Sequence, residues 1–510
     1  MASPSTSYQA RQPAQGVLYQ VVRDHFETFR AQAADLRDGE GLPRFVEQEF
    51  RDFLRCGWLG GGFARFRCTA CGLDRLVPFS CRGRGFCPSC GGRRMAERAA
   101  HLVDRVFPPV PVRQWVLSLP HRLRYRLAWD HDLCRGVAGA FMRAVLGFLR
   151  RQARAAGVMD GRSGAVAIVQ RFGGALNLNI HFHALVIDGV FSKDDTRVRF
   201  HPRTDLDTAE VDEVLATVTA HVRCLLERQG LGAVDEADNA ADAWAEDAPV
   251  LAGIAAASVQ GRVALGHRAG ARVRRRGDPS TASETWALGR CHARYDGFDL
   301  HAGLLVPAGQ RERLERVSRY ALRPPVAQDR LSLTPEGQVR LRLGRRWSDG
   351  TTHLLFDPVE LLERLAVLTP RPRINLILYH GVLAPRAAWR SLVVGFGAPV
   401  SPGEVAVADG SSNLSVGDGN GAPRRRVGGR LWADLMARTF GFDVLACPRC
   451  GGRLRLIALI EDPSVVLRLL QHLGLPTQIP ERYPARAPPL SLDGLAARGA
   501  HDDIVFDSRS

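Results

Sequence analysis

The segment Asn177-Leu178-Asn179-Ile180-His181-Phe182-His183-Ala184-Leu185-Val186 alternates with a period of two. A strand sends successive side chains to opposite faces. Leu178, Ile180, Phe182, Ala184 and Val186 therefore form one apolar face, and Asn177, Asn179, His181 and His183 share the other. Two imidazoles two residues apart can chelate one divalent ion from the same side. With 15 histidines in the chain, chance alone gives about 0.4 His-x-His pairs, so the spacing by itself decides little. More informative is the row of four polar groups on an otherwise buried-looking strand, because such groups need partners. A hydrogen-bonded or exposed histidine pair is the competing reading. A preceding strand at about 165–172 ends at Gly173 and Gly174, which fits a hairpin. With 174 and 175 as the turn, Gln170 stands opposite position 179 and shares the histidine face as a candidate third ligand. A slip of one residue would turn it away.

Two imidazoles and an amide leave coordination positions open for phosphate oxygens, and Mg or Mn in such a site can polarise a phosphodiester. The nucleophile this chemistry requires has few candidates, since the chain has only 7 tyrosines. Tyr320 lies near the end of a helix expected at 309–322 that stops at Pro324-Pro325. Arg319 and Arg323 flank it and can hold a phosphate or favour the phenolate, whose acid is otherwise weak. An ordinary amphipathic tyrosine is the alternative.

Six of the 11 cysteines fall into CxxC pairs, where chance gives roughly 0.2 such pairs. Cys68/Cys71 and Cys87/Cys90 have a separation suited to one tetrahedral zinc with no open position, hence a structural site. Cys56 and Cys81 are spare and can replace a ligand. Arg93 and Arg94 belong to a basic flank suited to a DNA backbone, although a solvated basic face explains it equally. Cys447/Cys450 form a possible second zinc site that lacks partners; His472, His380 or another chain would have to complete it.

The 510 residues carry a formal charge of +16, with Lys193 the only lysine. GC-rich coding explains arginine over lysine but not the excess over acids, which points to a polyanion, most often nucleic acid. No run of apolar residues is long enough for a membrane span. The start, MASPSTSYQARQPAQG, does not read as a secretory leader, so a bacterial cytoplasmic protein without disulfides is expected.

The expected organisation is a helical region at 1–55, a zinc-binding domain at 56–100, a helical connector at 101–160 and a catalytic domain at 161–400. An Ala/Gly/Arg/Asp-rich surface insertion is expected at 232–288, apart from a short helix near 250–265. A linker at 401–430 and a CxxC module at 431–510 complete the chain. Helices are expected at 208–228 and 358–368, and strands at 338–344 and 351–356. The fold class is α+β, with a mainly antiparallel central sheet, helices packed on it and the zinc module attached.

FSCRGRGFCPSCGGRRMAERAAHLVD, VPVRQWVLSLP, VQRFGGALNLNIHFHALVIDGVF, SRYALRPP, DGTTHLLFDP and PRPRINLILYHGVLAP occur in this order. The chain resembles the insertion sequence 91 family of transposases over about 15–400, and within it the one-tyrosine proteins of insertion-sequence common regions. The resemblance implies an N-terminal zinc-binding domain and an HUH (His-hydrophobic-His) endonuclease domain. It further implies a divalent ion on His181, His183 and Gln170, and attack by Tyr320 on single-stranded transposon-end DNA. A 5′-phosphotyrosine and rolling-circle strand transfer into target DNA would follow. Some relatives carry a second tyrosine four residues earlier, where this chain has Arg316. Tyr379 is a lesser candidate nucleophile. The competing functions are a plasmid-type replication initiator, a non-catalytic zinc DNA-binding protein and a tyrosine recombinase. The last usually has His-x-x-Arg near its tyrosine, where this chain places His380 and Leu383.

Overall fold

The computed structural model describes residues 12–36, 40–203, 205–231, 242–277, 289–397, 432–441 and 443–486. Helices α1 (Val17–Asp35) and α2 (Arg44–Arg55) come first. Their apolar stripes meet where Phe26 stacks on Phe50, and Phe86 closes on Phe50 at 4.7 Å between ring centroids. A hairpin of β1 (Phe63–Cys68) and β2 (Asp74–Pro78) follows, then α3 (Pro88–Arg105). Next come β3 (Val112–Ser118), α4 (His121–Trp129), α5 (His131–Ala155), β4 (Gly164–Phe172) and β5 (Leu178–Ile187). A small hairpin, β6 (Gly189–Asp194) and β7 (Arg197–Pro202), leads to α6 (Thr208–Arg228), α7 (Ala243–Asp247) and α8 (Pro249–Val259).

The chain continues through β8 (Arg274–Gly277), β9 (His292–Tyr295), β10 (Phe298–Val306) and α9 (Arg311–Leu322). Then come β11 (Leu331–Leu333), β12 (Val339–Arg342), β13 (Thr351–Phe356), α10 (Pro358–Leu368), β14 (Ile377–Gly381) and α11 (Arg390–Val394). The last elements are α12 (Trp432–Phe440), β15 (Leu454–Ile460) and α13 (Pro463–His472).

The central sheet has six strands in the order β14-β4-β5-β3-β10-β9, and every neighbouring pair is antiparallel. Its two faces are covered differently. Ile180, Phe182 and Ala184 of β5 enter a large core shared with α4, α5, α6, α8 and α10. Leu185 and Ile187 point the other way, into a smaller core with Leu102 and Val103 of α3 and Leu314, Val317 and Ala321 of α9. The candidate histidines share that second face.

Three sequence readings change. The stretch expected to be a helical connector contributes β3, which lies between β5 and β10 inside the sheet. VRQWVLS is buried nearly throughout, so it shows none of the alternation by which a half-exposed strand is recognised. The short helix expected near 250–265 is present as α8, but Val250, Leu251, Ile254 and Ala255 are buried in the main core, so this helix is not part of a surface insertion. Ser258 Oγ on it accepts a hydrogen bond from Leu178 N at 2.9 Å, tying it to the start of the histidine strand. The expected linker at 401–430, residues 232–241 and 278–288 of the expected insertion, and the tail beyond 486 lie outside the described residues.

The third difference concerns register. The β4–β5 loop holds three residues, 174–176: Gly173 N donates to Asn177 O, and Leu176 adopts φ +56°. This loop alone would put Gln170 on the opposite face from the prediction, because facing parity reverses with each added residue. A bulge corrects it. Phe172 pairs with Leu178 but Gln170 pairs with His181, so β5 contains one extra residue between the two rungs. Gln170 thus shares the histidine face, opposite 181 rather than 179.

Phe182 is fully buried among these helices. Phe182→Ala is expected to cost about 3–5 kcal/mol, read as a lowered midpoint in denaturant unfolding. A change below about 1 kcal/mol would contradict this packing.

Candidate active site and metal centres

His181 and His183 project from β5 with their Nε2 atoms 3.2 Å apart. His181 Nδ1–H donates to Asn179 O at 2.9 Å, which leaves the Nε2 lone pair facing its neighbour. His183 is buried, and its Nδ1 lies 3.1 Å from the side-chain amide of Gln114 on β3. In this orientation Gln114 Nε2–H donates to Nδ1; with the amide flipped, its oxygen accepts from Nδ1–H and frees His183 Nε2 in the same way. Burial lowers His181 to about 4 and His183 to about 3, so both rings are neutral at pH 7 and able to act as ligands.

Gln170 pairs with His181 across the β4–β5 ladder. Its Nε2 donates to Ala321 O on α9 at 3.1 Å, while its Oε1 is buried with no hydrogen-bond partner among the described residues. Two imidazole nitrogens in contact and a buried, unsatisfied amide oxygen fit a divalent ion. Imidazole and carbonyl oxygen together suit such an ion.

Helix α9 crosses this face and carries Tyr320 near its C-terminal end. The phenol ring stands edge-on to His183, with centroids 5.9 Å apart and planes at 83°. Tyr320 is 55% exposed, unlike the buried α9 residues on either side of its turn. The Arg323 guanidinium lies 4.1 Å from the Tyr320 ring centroid and donates to the Tyr320 carbonyl at 2.9 Å. Arg319 instead pairs with Glu315 at 2.5 Å, so of the two predicted flanking arginines Arg323 is the one against the phenol. Tyr379 lies on β14, level with Val166 and two strands from the histidines, and burial raises its pKa.

Beside Gln170 opens a cleft of about 700 Å³, lined by Arg84, Arg94, Arg98, Arg323, Arg373 and Tyr379, among others. It runs between α3, which belongs to the zinc module, and the sheet. Arg94 also spans the module's loop, donating to Arg82 O and Gly83 O at 3.0 and 2.9 Å. Arg93 is solvent-exposed.

The structure regroups the cysteines. Cys68 and Cys71 do not share a site with Cys87 and Cys90. Instead Cys56, Cys81, Cys87 and Cys90 form one tetrad and Cys68, Cys71, Cys447 and Cys450 another, each with all sulfurs within 4.8 Å of one another. The closest contacts, 3.4–3.8 Å, match the roughly 3.8 Å edge of a tetrahedron with Zn–S bonds near 2.3 Å. The reason is topological. Cys56 ends α2 and Cys87 and Cys90 start α3, so they converge with Cys81 at the base of the module. The β1–β2 hairpin carries Cys68 and Cys71 to its far tip. There they, rather than His380 or His472, face the third CxxC. Cys56 and Cys81, spare in the sequence reading, are full members of the first tetrad.

The first tetrad is tied to the candidate active site. Gly91, next to Cys90, packs so closely on Pro324 that a Cβ there would lie 2.6 Å from the proline Cβ. Pro324 follows directly on Arg323. Glu49 of α2 secures the intervening loop, accepting from Gly85 N at 2.8 Å.

Sequence reasoning missed Gln114, and its one signal was a polar residue in the middle of an apolar run. It also missed the contact between α3 and α9, which no local pattern encodes.

Residues 164–390 match the family described as "Putative transposase", and residues 21–119 match the family described as "Transposase zinc-binding domain". Neither curated proteins nor solved structures give a match. Fold, cysteine centres and family matches together define a DNA-binding, DNA-cleaving enzyme of the transposase class with structural zinc. More specifically, the chain belongs to the insertion sequence 91 family of transposases and carries that family's zinc-binding domain at its N-terminal end. Among the described residues no helix is long and apolar enough to cross a membrane.

Cys81→Ser is expected to remove one zinc from the purified protein and to lower its melting temperature by several degrees, read by elemental analysis and calorimetry. A variant with unchanged zinc would remove Cys81 from the tetrad.

Proposed function

We propose that this transposase is an HUH-type single-strand endonuclease in which Tyr320 is the nucleophile and transposon-end DNA the substrate. The observation that carries this reading is the position of Tyr320: an exposed phenol, edge-on to His183, on a helix whose Ala321 carbonyl also holds Gln170. One helix thereby carries the proposed nucleophile and bonds one of the proposed ligands.

His181, His183 and Gln170 would hold Mg or Mn, which when bound supplies Lewis-acid polarisation of a phosphate oxygen. The remaining work falls to the chain. The basic cleft beside Gln170 draws in and orients the sugar-phosphate backbone. Tyr320 Oη loses its proton to solvent, to which it is open, and attacks the phosphorus. The Arg323 guanidinium, 4.1 Å from the ring centroid, lies beside the attacking group. The bond from phosphorus to the 3′ oxygen breaks and that oxygen takes up a proton. The products are a free 3′-hydroxyl and a 5′-phosphotyrosine. The covalent link preserves the energy of the broken phosphodiester, so rejoining to a target strand, as rolling-circle transfer requires, needs no ATP.

The test incubates protein with labelled single-stranded end oligonucleotides and Mg or Mn, then resolves covalent adducts on denaturing gels. Adducts are expected with the wild type and with Tyr379→Phe, and none with Tyr320→Phe. His181→Ala is expected to lower the rate by at least about 100-fold. Equal adduct yield in Tyr320→Phe would overturn the assignment of the nucleophile. Nicking that persists after exhaustive chelation would overturn the role of His181 and His183.

A further inference from the structure

The second cysteine tetrad joins chain segments that no local pattern links. Cys71 and Cys447 are 376 residues apart in sequence, with their sulfurs 3.6 Å apart. The two CxxC turns are built alike. Gly72 N donates to Cys68 O and Gly451 N to Cys447 O, and both glycines adopt positive φ, +73° and +72°. Each turn adjoins a strand, and the strands pair: β15 runs antiparallel to β1 from Phe63 opposite Ile460 to Cys68 opposite Leu454. Thr69 N adds a bond to Arg453 O at 3.1 Å. The result is a three-stranded unit, β15-β1-β2, assembled from two distant halves with four thiols at its tip.

The halves also meet in a small cluster of Cys68, Cys447 and Leu454, and along α1, where Tyr483 N donates to Arg23 O and Arg486 N to Thr28 Oγ1. One patch joins Phe63 to Val466 and Leu470, and another joins Ala96 and Ala100 of α3 to Leu435, Met436 and Val444. Leu456, Ile457 and Leu459 remain exposed. Modules with so small a core usually need a metal or disulfide to hold them.

A contact leads from this module to the tyrosine helix. Arg438 of α12 donates through Nε to Glu315 at 2.9 Å and through Nη1 to Asp104 at 2.7 Å. Glu315 lies on α9, one turn and a residue before Tyr320, and also pairs with Arg319; Asp104 lies on α3. One guanidinium from the C-terminal module therefore spans the two helices that cover the histidine face.

We propose that a second zinc ion, bound by Cys68, Cys71, Cys447 and Cys450, clasps residues 432–486 onto the N-terminal zinc-binding domain. The clasped module braces the Tyr320 helix through Arg438. Arg438 is a positioning residue. The clasp stands on the cysteine geometry alone, while any effect on catalysis rests on the Tyr320 reading above.

The experiment uses the full chain. Elemental analysis is expected to give two zinc ions per wild-type chain and one for the Cys447→Ser/Cys450→Ser double variant. With a specific protease site inserted between 401 and 430 and then cut, the wild-type fragments are expected to co-elute and those of the double variant to separate. One zinc in the wild type, or two in the double variant, overturns the clasp, whatever the protein does to DNA. For the brace, hydrogen exchange of residues 311–322 is expected to accelerate in Arg438→Ala and in the double variant, and to recover in part in Arg438→Lys. At saturating oligonucleotide, Arg438→Ala is expected to slow adduct formation by about tenfold with DNA affinity unchanged. Unaltered exchange in Arg438→Ala, or an affinity loss without a rate loss, overturns the brace. Absence of any wild-type adduct would instead count against the Tyr320 reading and leave the zinc and exchange results standing.

Discussion

The pairing register between β4 and β5 is the constraint on which the candidate site depends. One face of β5 must enter the main core, and Ile180, Phe182 and Ala184 fix which one, since burying each large apolar side chain contributes about 1.5–3 kcal/mol. That choice sends His181 and His183 to the other face. The partner strand must then present Gln170 on the same side. The three-residue loop alone would fail to do this, and the bulge restores the parity. Loop and bulge are separately irregular, yet together they bring the three polar side chains to one face.

The second constraint is the cover over that face. Helices α3 and α9 lie side by side on it, the first from the zinc-binding domain and the second carrying Tyr320. The zinc-binding domain is therefore packed into the wall of the cleft. Gly91 against Pro324 and Arg94 at the cleft margin show how directly the first tetrad bears on the chain beside the tyrosine. The first tetrad includes Cys90 of α3, and α3 packs directly on α9.

Charge follows the same division. Two groups of arginines stand apart from those on the general surface. Arg113, paired with Asp188, and Arg171, bonded to the carbonyls of Ala128 and Val367, are buried and hold strands and helices in place. Arg98, Arg323 and Arg373 line the open cleft. A count of charges suggested a polyanion partner, but composition could not separate the structural arginines from those facing the cleft.

The sequence by itself determined the local pieces. Period-two alternation marked β5, apolar spacing ended by Pro324-Pro325 marked the Tyr320 helix, and the CxxC turns marked metal ligands, because each pattern records a geometry that repeats within a few residues. Tertiary structure alone decided which pieces meet. VRQWVLS became a central strand because burial on both faces removes the alternation, and the Ala-rich α8 entered the core because small side chains let a helix lie close to the sheet. The cysteines paired across almost the whole chain, and Arg438 reached Glu315, because a metal tetrad or an ion pair depends on where backbones come together in space. Sequence separation carries no record of that.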